Sequence, residues 1–209
     1  MNASTEKADP NRQLLLTGGA LAVVGLWYQR RAAAHGADQP HHEAQAASEL
    51  KRSQAYYPIP AATLVRQDGA QVPFAQELDD GKPVILDFIY TSCASICPVS
   101  SMVFSQLQGM VGPEAKMLSI SIDPEFDTPP RLLEYAQKFG ATARWQHYTG
   151  AREAILAVQK AFNVYRGDKT NHFAATFLRA APAQPWLRLE GFATPEDLAR
   201  EYRRLGTAS

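Results

Sequence analysis

From residue 57 onward, apolar positions fall into short runs separated by polar turns, and their spacing alternates between a strand-like and a helix-like period. Val84–Tyr90 (VILDFIY) is a nearly continuous apolar run rich in branched and aromatic residues, the pattern of a strand covered on both faces. Val99–Val111 carries apolar residues at helical spacing, at Val99, Met102, Val103, Leu107 and Met110. Lys116–Ile122 reads as strand, Pro129–Phe139 as helix, Trp145–Tyr148 as a short strand and Arg152–Phe162 as helix. Phe173–Arg179 and Trp186–Leu189 suit a hairpin, and Pro195–Leu205 a closing helix with Thr194 as its N-cap and proline at its first position. The order β-α-β-α-β-α-β-β-α predicts an α/β fold, a mixed sheet flanked by helices. It should be parallel where helices cross over and antiparallel at the final hairpin.

The N-terminal part follows a different pattern. Leu14–Tyr28 (LLLTGGALAVVGLWY) is an uncharged run of 15 residues closed by Arg30 and Arg31. It sits at the lower limit for a bilayer core of about 30 Å, and Trp27 and Tyr28 suit an interfacial position. Residues 1–31 are therefore read as a single membrane-anchor helix. A cleaved signal peptide is the alternative, because Ala32-Ala33-Ala34 also suits a cleavage site. Residues 32–55, rich in Ala, Gln and charge, predict a flexible spacer, and 56–209 the folded domain. His35, His41 and His42 read as solvated residues of that tether.

Composition narrows the function. Lys plus Arg (21) equals Asp plus Glu (21), so the net charge of 0 offers no electrostatic basis for binding nucleic acid. The chain has only 2 cysteines, too few for a disulfide scaffold, yet Cys93 and Cys97 stand four positions apart just beyond the strand ending at Tyr90. Sites in open α/β sheets collect beyond the carboxyl ends of strands. Pro98 favours a helix start and makes Cys97 the expected N-cap, where the helix dipole would lower its thiol pKa. Cys93 on the incoming loop can fold its sulfur toward Cys97. The pair can chelate one soft ion or close into a disulfide, and spacing does not choose between them.

At these residues the sequence resembles the Sco/SenC family, membrane-anchored thioredoxin-like copper chaperones of cytochrome c oxidase assembly. The likeness runs from about Tyr57 to Leu205 and is carried by Asp87–Pro98 (DFIYTSCASICP), Ser119–Pro129 (SISIDPEFDTP) and His172 before a late strand. The resemblance implies a thioredoxin-like fold and a single copper, Cu(I) or Cu(II), held by Cys93, Cys97 and His172. It also implies a copper-receiving oxidase subunit as partner, with an upstream copper donor or thiol reductant, and a globular domain in the periplasm or an equivalent compartment. The family commonly has an acidic residue directly before the histidine, where this chain has Asn171. Ala180–Trp186 also differs from its usual Asp-Gly turn.

The residues support that chemistry independently. Two thiolates suffice for Cu(I), while an imidazole raises coordination and suits Cu(II). A thiol-disulfide oxidoreductase or thiol peroxidase using Cys93 and Cys97 without metal is the competing reading, and a copper sensor or buffer a third. Asp127 is read as helix punctuation, with Asp127 or Thr128 capping the helix that Pro129 opens. Asp123 is left between structural and functional readings. Met102, Met110 and Met117 are expected in the core, and His147 in no special role.

Overall fold

The structure is a computed structural model, and it describes residues 50–207. In chain order its elements are β1 (Lys51–Ala55), β2 (Thr63–Arg66), β3 (Gln71–Pro73), α1 (Phe74–Leu78), β4 (Val84–Ile89), α2 (Ile96–Leu107), β5 (Lys116–Ser121), α3 (Pro129–Lys138), β6 (Trp145–Gly150) and α4 (Arg152–Ala161). A 3-10 turn at Lys169–Asn171, then β7 (Ala175–Arg179), β8 (Trp186–Glu190) and α5 (Pro195–Thr207), complete the chain. One sheet of eight strands runs in the order β1-β8-β7-β4-β5-β6-β2-β3. As expected, β4, β5 and β6 are parallel, and β7 pairs antiparallel with both β4 and β8. The nine elements from β4 to α5 follow the predicted order.

Every residue of β4 is buried because side chains alternate between two cores. Val84, Leu86 and Phe88 enter one, with Phe74 and Leu78 of α1 and Ile155 and Val158 of α4. Its centre is Phe162, packed against Tyr57, Phe88, Phe177 and Trp186 at ring-centroid distances of 5.0–5.8 Å. Ile85 enters the other core, with Phe104 and Leu107 of α2, Trp145 of β6 and Leu198 of α5. At the carboxyl end of the same face, Ile89 packs with Cys93, Cys97 and Tyr135. The Thr194 cap is present, reciprocated by Asp197: the Asp197 N–H donates to Thr194 Oγ1 (3.1 Å) and the Thr194 N–H to Asp197 Oδ2 (3.2 Å).

Several expectations are corrected. The end of the predicted spacer, Lys51–Ala55, is strand β1, hydrogen-bonded to β8 along its whole length. Its first four side chains are exposed, so no apolar pattern announces it. An ion pair from Arg52 to the buried Glu201 of α5 fastens it. Helix α2 begins at Ile96, two residues before the Pro98 start that an N-cap at Cys97 predicts, because a proline in the first turn lacks only an N–H that has no intrahelical partner there. Its buried stripe is Cys97, Ser101, Phe104 and Leu107, and Val99 and Met102 face outward. Of the three methionines expected inside, only Met117 is in the core; Met102 and Met110 are exposed. In the departing Ala180–Trp186 segment, Ala183 adopts a left-handed φ of 61°, a conformation that favours glycine. The Leu14–Tyr28 run lies outside the described residues, as does most of the predicted spacer. Among the described residues no helix is long and apolar enough to cross a membrane.

Candidate metal and thiol site

The site grows out of the carboxyl end of β4. The Tyr90 N–H donates to Cys97 Sγ at 3.4 Å, and the Tyr90 carbonyl accepts from the Cys93 N–H at 3.1 Å. The turn closes when the Cys97 N–H donates to Cys93 Sγ at 3.4 Å. Ser95 is the N-cap of α2 and makes no side-chain cap hydrogen bond, so the Cys93 sulfur takes one of the amides that a helix start leaves unpaired. Both cysteines are buried and neither forms a disulfide.

This arrangement reverses the expected roles of the two thiols. Cys97 lies inside the helix, and burial pushes its thiol well above the ordinary range, the neighbouring Cys93 adding to the rise. Burial also opposes ionisation of Cys93, but the N–H groups of Cys97 and Ser95, with the Cys97 and Tyr90 side chains, prevail and bring its thiol down to about 7. Cys93, not Cys97, sits at the positive end of α2.

Asp127 does not cap α3. Thr128 is the N-cap, and the Asp127 carboxylate is fully buried. It accepts from the Thr91 N–H at 3.1 Å, from the Thr91 hydroxyl, and from Ser121 Oγ at 2.6 Å, so it ties the cysteine loop to the end of β5. Asp123, on the same loop, pairs with Lys169.

His172 follows the 3-10 turn and is buried. Burial lowers its pKa, a hydrogen bond to the Phe88 backbone partly opposes this, and its Nδ1 has no hydrogen-bond partner. Its ring meets Tyr90 edge-on, with centroids 6.2 Å apart. An imidazole with one nitrogen unpaired and a backbone hydrogen bond nearby suits a metal ligand. The structure thus brings Cys93 and Cys97 together and sets His172 across Tyr90 from them. Among the described residues no group of three or more His, Cys, Asp or Glu side chains is gathered to hold a metal ion. Asn171 is an exposed residue of the 3-10 turn.

Sequence reasoning missed Tyr90, Thr91 and Lys169. Tyr90 read only as the end of a strand, and Lys169 carries no pattern at all. His147, given no role, is fully buried, and burial takes its pKa down to about 3, so it stays neutral. On the same sheet face, Asp87 accepts from Ser119 Oγ at 2.6 Å and is pushed by burial up to about 7.

The SCO1/SenC family model matches residues 56–206. The SCO1 protein homolog of Bacillus subtilis is 32% identical over 104 residues, covering 48% of this chain and 53% of that protein. The chain therefore matches about half the length of that relative. Among solved structures, a SCO1/SenC family lipoprotein from Bacillus anthracis superposes with a TM-score of 0.63 at 26% identity, covering 73% of this chain and 96% of that one. ScoI of Bradyrhizobium japonicum with copper bound gives a TM-score of 0.55 at 26% identity, over 69% of this chain and 96% of that one.

Proposed function

The chain belongs to the SCO1/SenC family, and from that premise we propose that it binds one copper ion through Cys93, Cys97 and His172. In this reading it delivers the ion to the binuclear copper site of cytochrome c oxidase. The observation that carries the proposal is the pairing of two reduced thiols at the entry to one helix, with a buried imidazole against Tyr90 whose Nδ1 has no protein partner. Two thiolates supply the soft donors Cu(I) requires, and the imidazole adds the nitrogen that suits Cu(II). The copper-bound Bradyrhizobium relative supports copper over other soft ions.

The test is competition for Cu(I) against a chromophoric chelator. Cys93→Ala and Cys97→Ala should each abolish tight binding, and unchanged affinity in either would refute the assignment. His172→Ala should weaken Cu(II) selectively, read from the visible thiolate-to-Cu(II) charge-transfer band.

The unequal thiols favour a second role, reduction of the recipient's cysteines. The Cys93 thiolate attacks a recipient disulfide and releases one thiolate. Cys97 then attacks the mixed disulfide, leaving a dithiol on the recipient and a disulfide here. A metal-free chain that reduces model disulfides but takes up no copper would make this the main activity. The proposed location is the periplasmic side of a membrane, with residues 14–28 as the anchor. A reporter active only after export, fused after Ser209, should be active; a silent, well-expressed fusion would overturn that placement.

A further inference from the structure

Lys169 opens the turn that leads into His172, and the His172 N–H donates to the Lys169 carbonyl at 3.1 Å. Its ammonium reaches out of that loop to three partners. Nζ donates to Asp123 Oδ2 at 2.5 Å and lies 5.7 Å from the Tyr90 ring centroid and 6.0 Å from that of Phe126. Each partner belongs to the framework around the thiols. Tyr90 gives its N–H to Cys97, and Asp123 and Phe126 share a loop with Asp127, which holds Thr91. One side chain therefore joins the imidazole loop both to the end of β4 and to the loop that braces the cysteines.

The thiol half of the site needs no such help. Cys93 and Cys97 are held by main-chain hydrogen bonds at the start of a 12-residue helix and lie in a packed cluster with Ile89 and Tyr135. The imidazole half rests on a three-residue turn whose own side chains are exposed. An ion pair at the surface contributes little alone, but this one ends on a carboxylate only 13% exposed and is reinforced by two aromatic faces.

We propose that Lys169 is a positioning residue for Cu(II) capture: it latches the His172 loop to the thiol-bearing end of the sheet, so that the imidazole is already ordered when copper arrives. The proposal rests on the copper reading above and divides its site into a dithiol that is rigid by itself and an imidazole whose ring is buried and bonded to the Phe88 backbone but whose short loop is tied to the thiol end of the sheet by Lys169. Cu(I), satisfied by two thiolates, should not sense the latch; Cu(II) should.

The experiment uses the full chain with Lys169→Met, which keeps most of the aliphatic stem, Lys169→Arg, which keeps the charge, and Asp123→Asn. In the metal-free chain, amide hydrogen exchange at His172 should quicken about fivefold or more in Lys169→Met and Asp123→Asn, with Cys97 exchange unchanged. On Cu(II) titration, read by the thiolate charge-transfer band, both variants should bind about five- to tenfold more weakly at unchanged Cu(I) affinity, and Lys169→Arg should stay near wild type. Unchanged His172 exchange in Lys169→Met would overturn the latch. Equal losses for Cu(I) and Cu(II) would overturn its selective role and leave Lys169 a general stabiliser. A wild-type chain with no such band would overturn the capture role, and one that also takes no Cu(I) from the chelator would refute the copper reading itself, while the exchange measurement would still decide whether Lys169 orders the loop.

Discussion

Inverting the two thiols has a consequence that can be measured before any metal is added. With its thiol at about 7 instead of the ordinary 9.0, Cys93 is half ionised at neutral pH. An ordinary cysteine is then roughly 1% ionised, so Cys93 carries about fifty times more thiolate. A more stable thiolate is a weaker nucleophile, and a Brønsted coefficient of about 0.45 over two pH units takes back roughly eightfold. Ionisation and nucleophilicity together favour Cys93 about sixfold over a free cysteine at pH 7, its burial lowers the absolute rate, and the labelling rate should level off above about pH 8. Cys97, buried and with its pKa raised, should react at least about a hundredfold more slowly. The assay is iodoacetamide labelling of the reduced, metal-free protein from pH 5 to 9, with each site quantified by peptide mass spectrometry. Because the largest lowering influence is the main-chain N–H of residue 97, Cys97→Ala should leave the Cys93 midpoint well below the ordinary value. A Cys93 rate still climbing tenfold per pH unit at pH 9, or Cys97 as the labelled residue, would refute the reasoning.

Other consequences follow from buried charge and from the sheet edge. Asp87 has a raised folded-state pKa, so the native protein keeps a proton that the unfolded chain releases between about pH 4 and 7, and stability falls as pH rises through that window. Asp87→Asn should match wild type near pH 4 and exceed it by on the order of a few kcal/mol at pH 8 in urea unfolding; parallel pH dependences would count against this. Asp127→Ala leaves the Thr91 N–H and the Thr91 and Ser121 hydroxyls without their acceptor and should destabilise the domain by about 2–4 kcal/mol, measured the same way. A loss under about 0.5 kcal/mol would mean the loop does not depend on it. A chain starting at Tyr56 lacks β1 and bares the edge of β8, so its Tm should drop by several degrees and size-exclusion chromatography should show self-association; an unchanged Tm would make β1 dispensable.

Strands and helices from β4 onward were legible because their burial follows a period: β4 has no exposed position, and α3, α4 and α5 have one wet face. β1 was not, because main-chain hydrogen bonds and the ion pairs of Lys51 and Arg52 hold it, and neither leaves an apolar pattern. β2, β3 and α1 were missed for a related reason, being three to five residues each, too short for a period to show. At the site, residue types and spacing marked Cys93 and Cys97, but which thiol ionises depends on which sulfur faces the first amides of α2. Taking Pro98 as the helix start puts the cap at Cys97, two residues beyond its position at Ser95. Asp127 shows the same limit, since an aspartate before a helix that proline opens looks like a cap until its carboxylate is seen turned inward to Thr91 and Ser121.

The buried polar residue of β4 bears on how the sheet selects one alignment among several. Both faces of β4 are apolar, so sliding it by one residue against its neighbours would exchange one greasy surface for another at little loss of burial. Asp87 removes that degeneracy. It stands opposite Ser119 of β5 and Thr176 of β7, and Ser119 in turn stands opposite His147 and accepts from Trp145 Nε1 at 2.9 Å. A one-residue slip would turn the carboxyl into the aromatic cluster around Phe162 and strip it of the serine hydroxyl. The central strands therefore carry an index mark, costly to bury yet readable in only one alignment, and that alignment brings Tyr90, Cys93 and Cys97 to the end of the sheet where His172 lies.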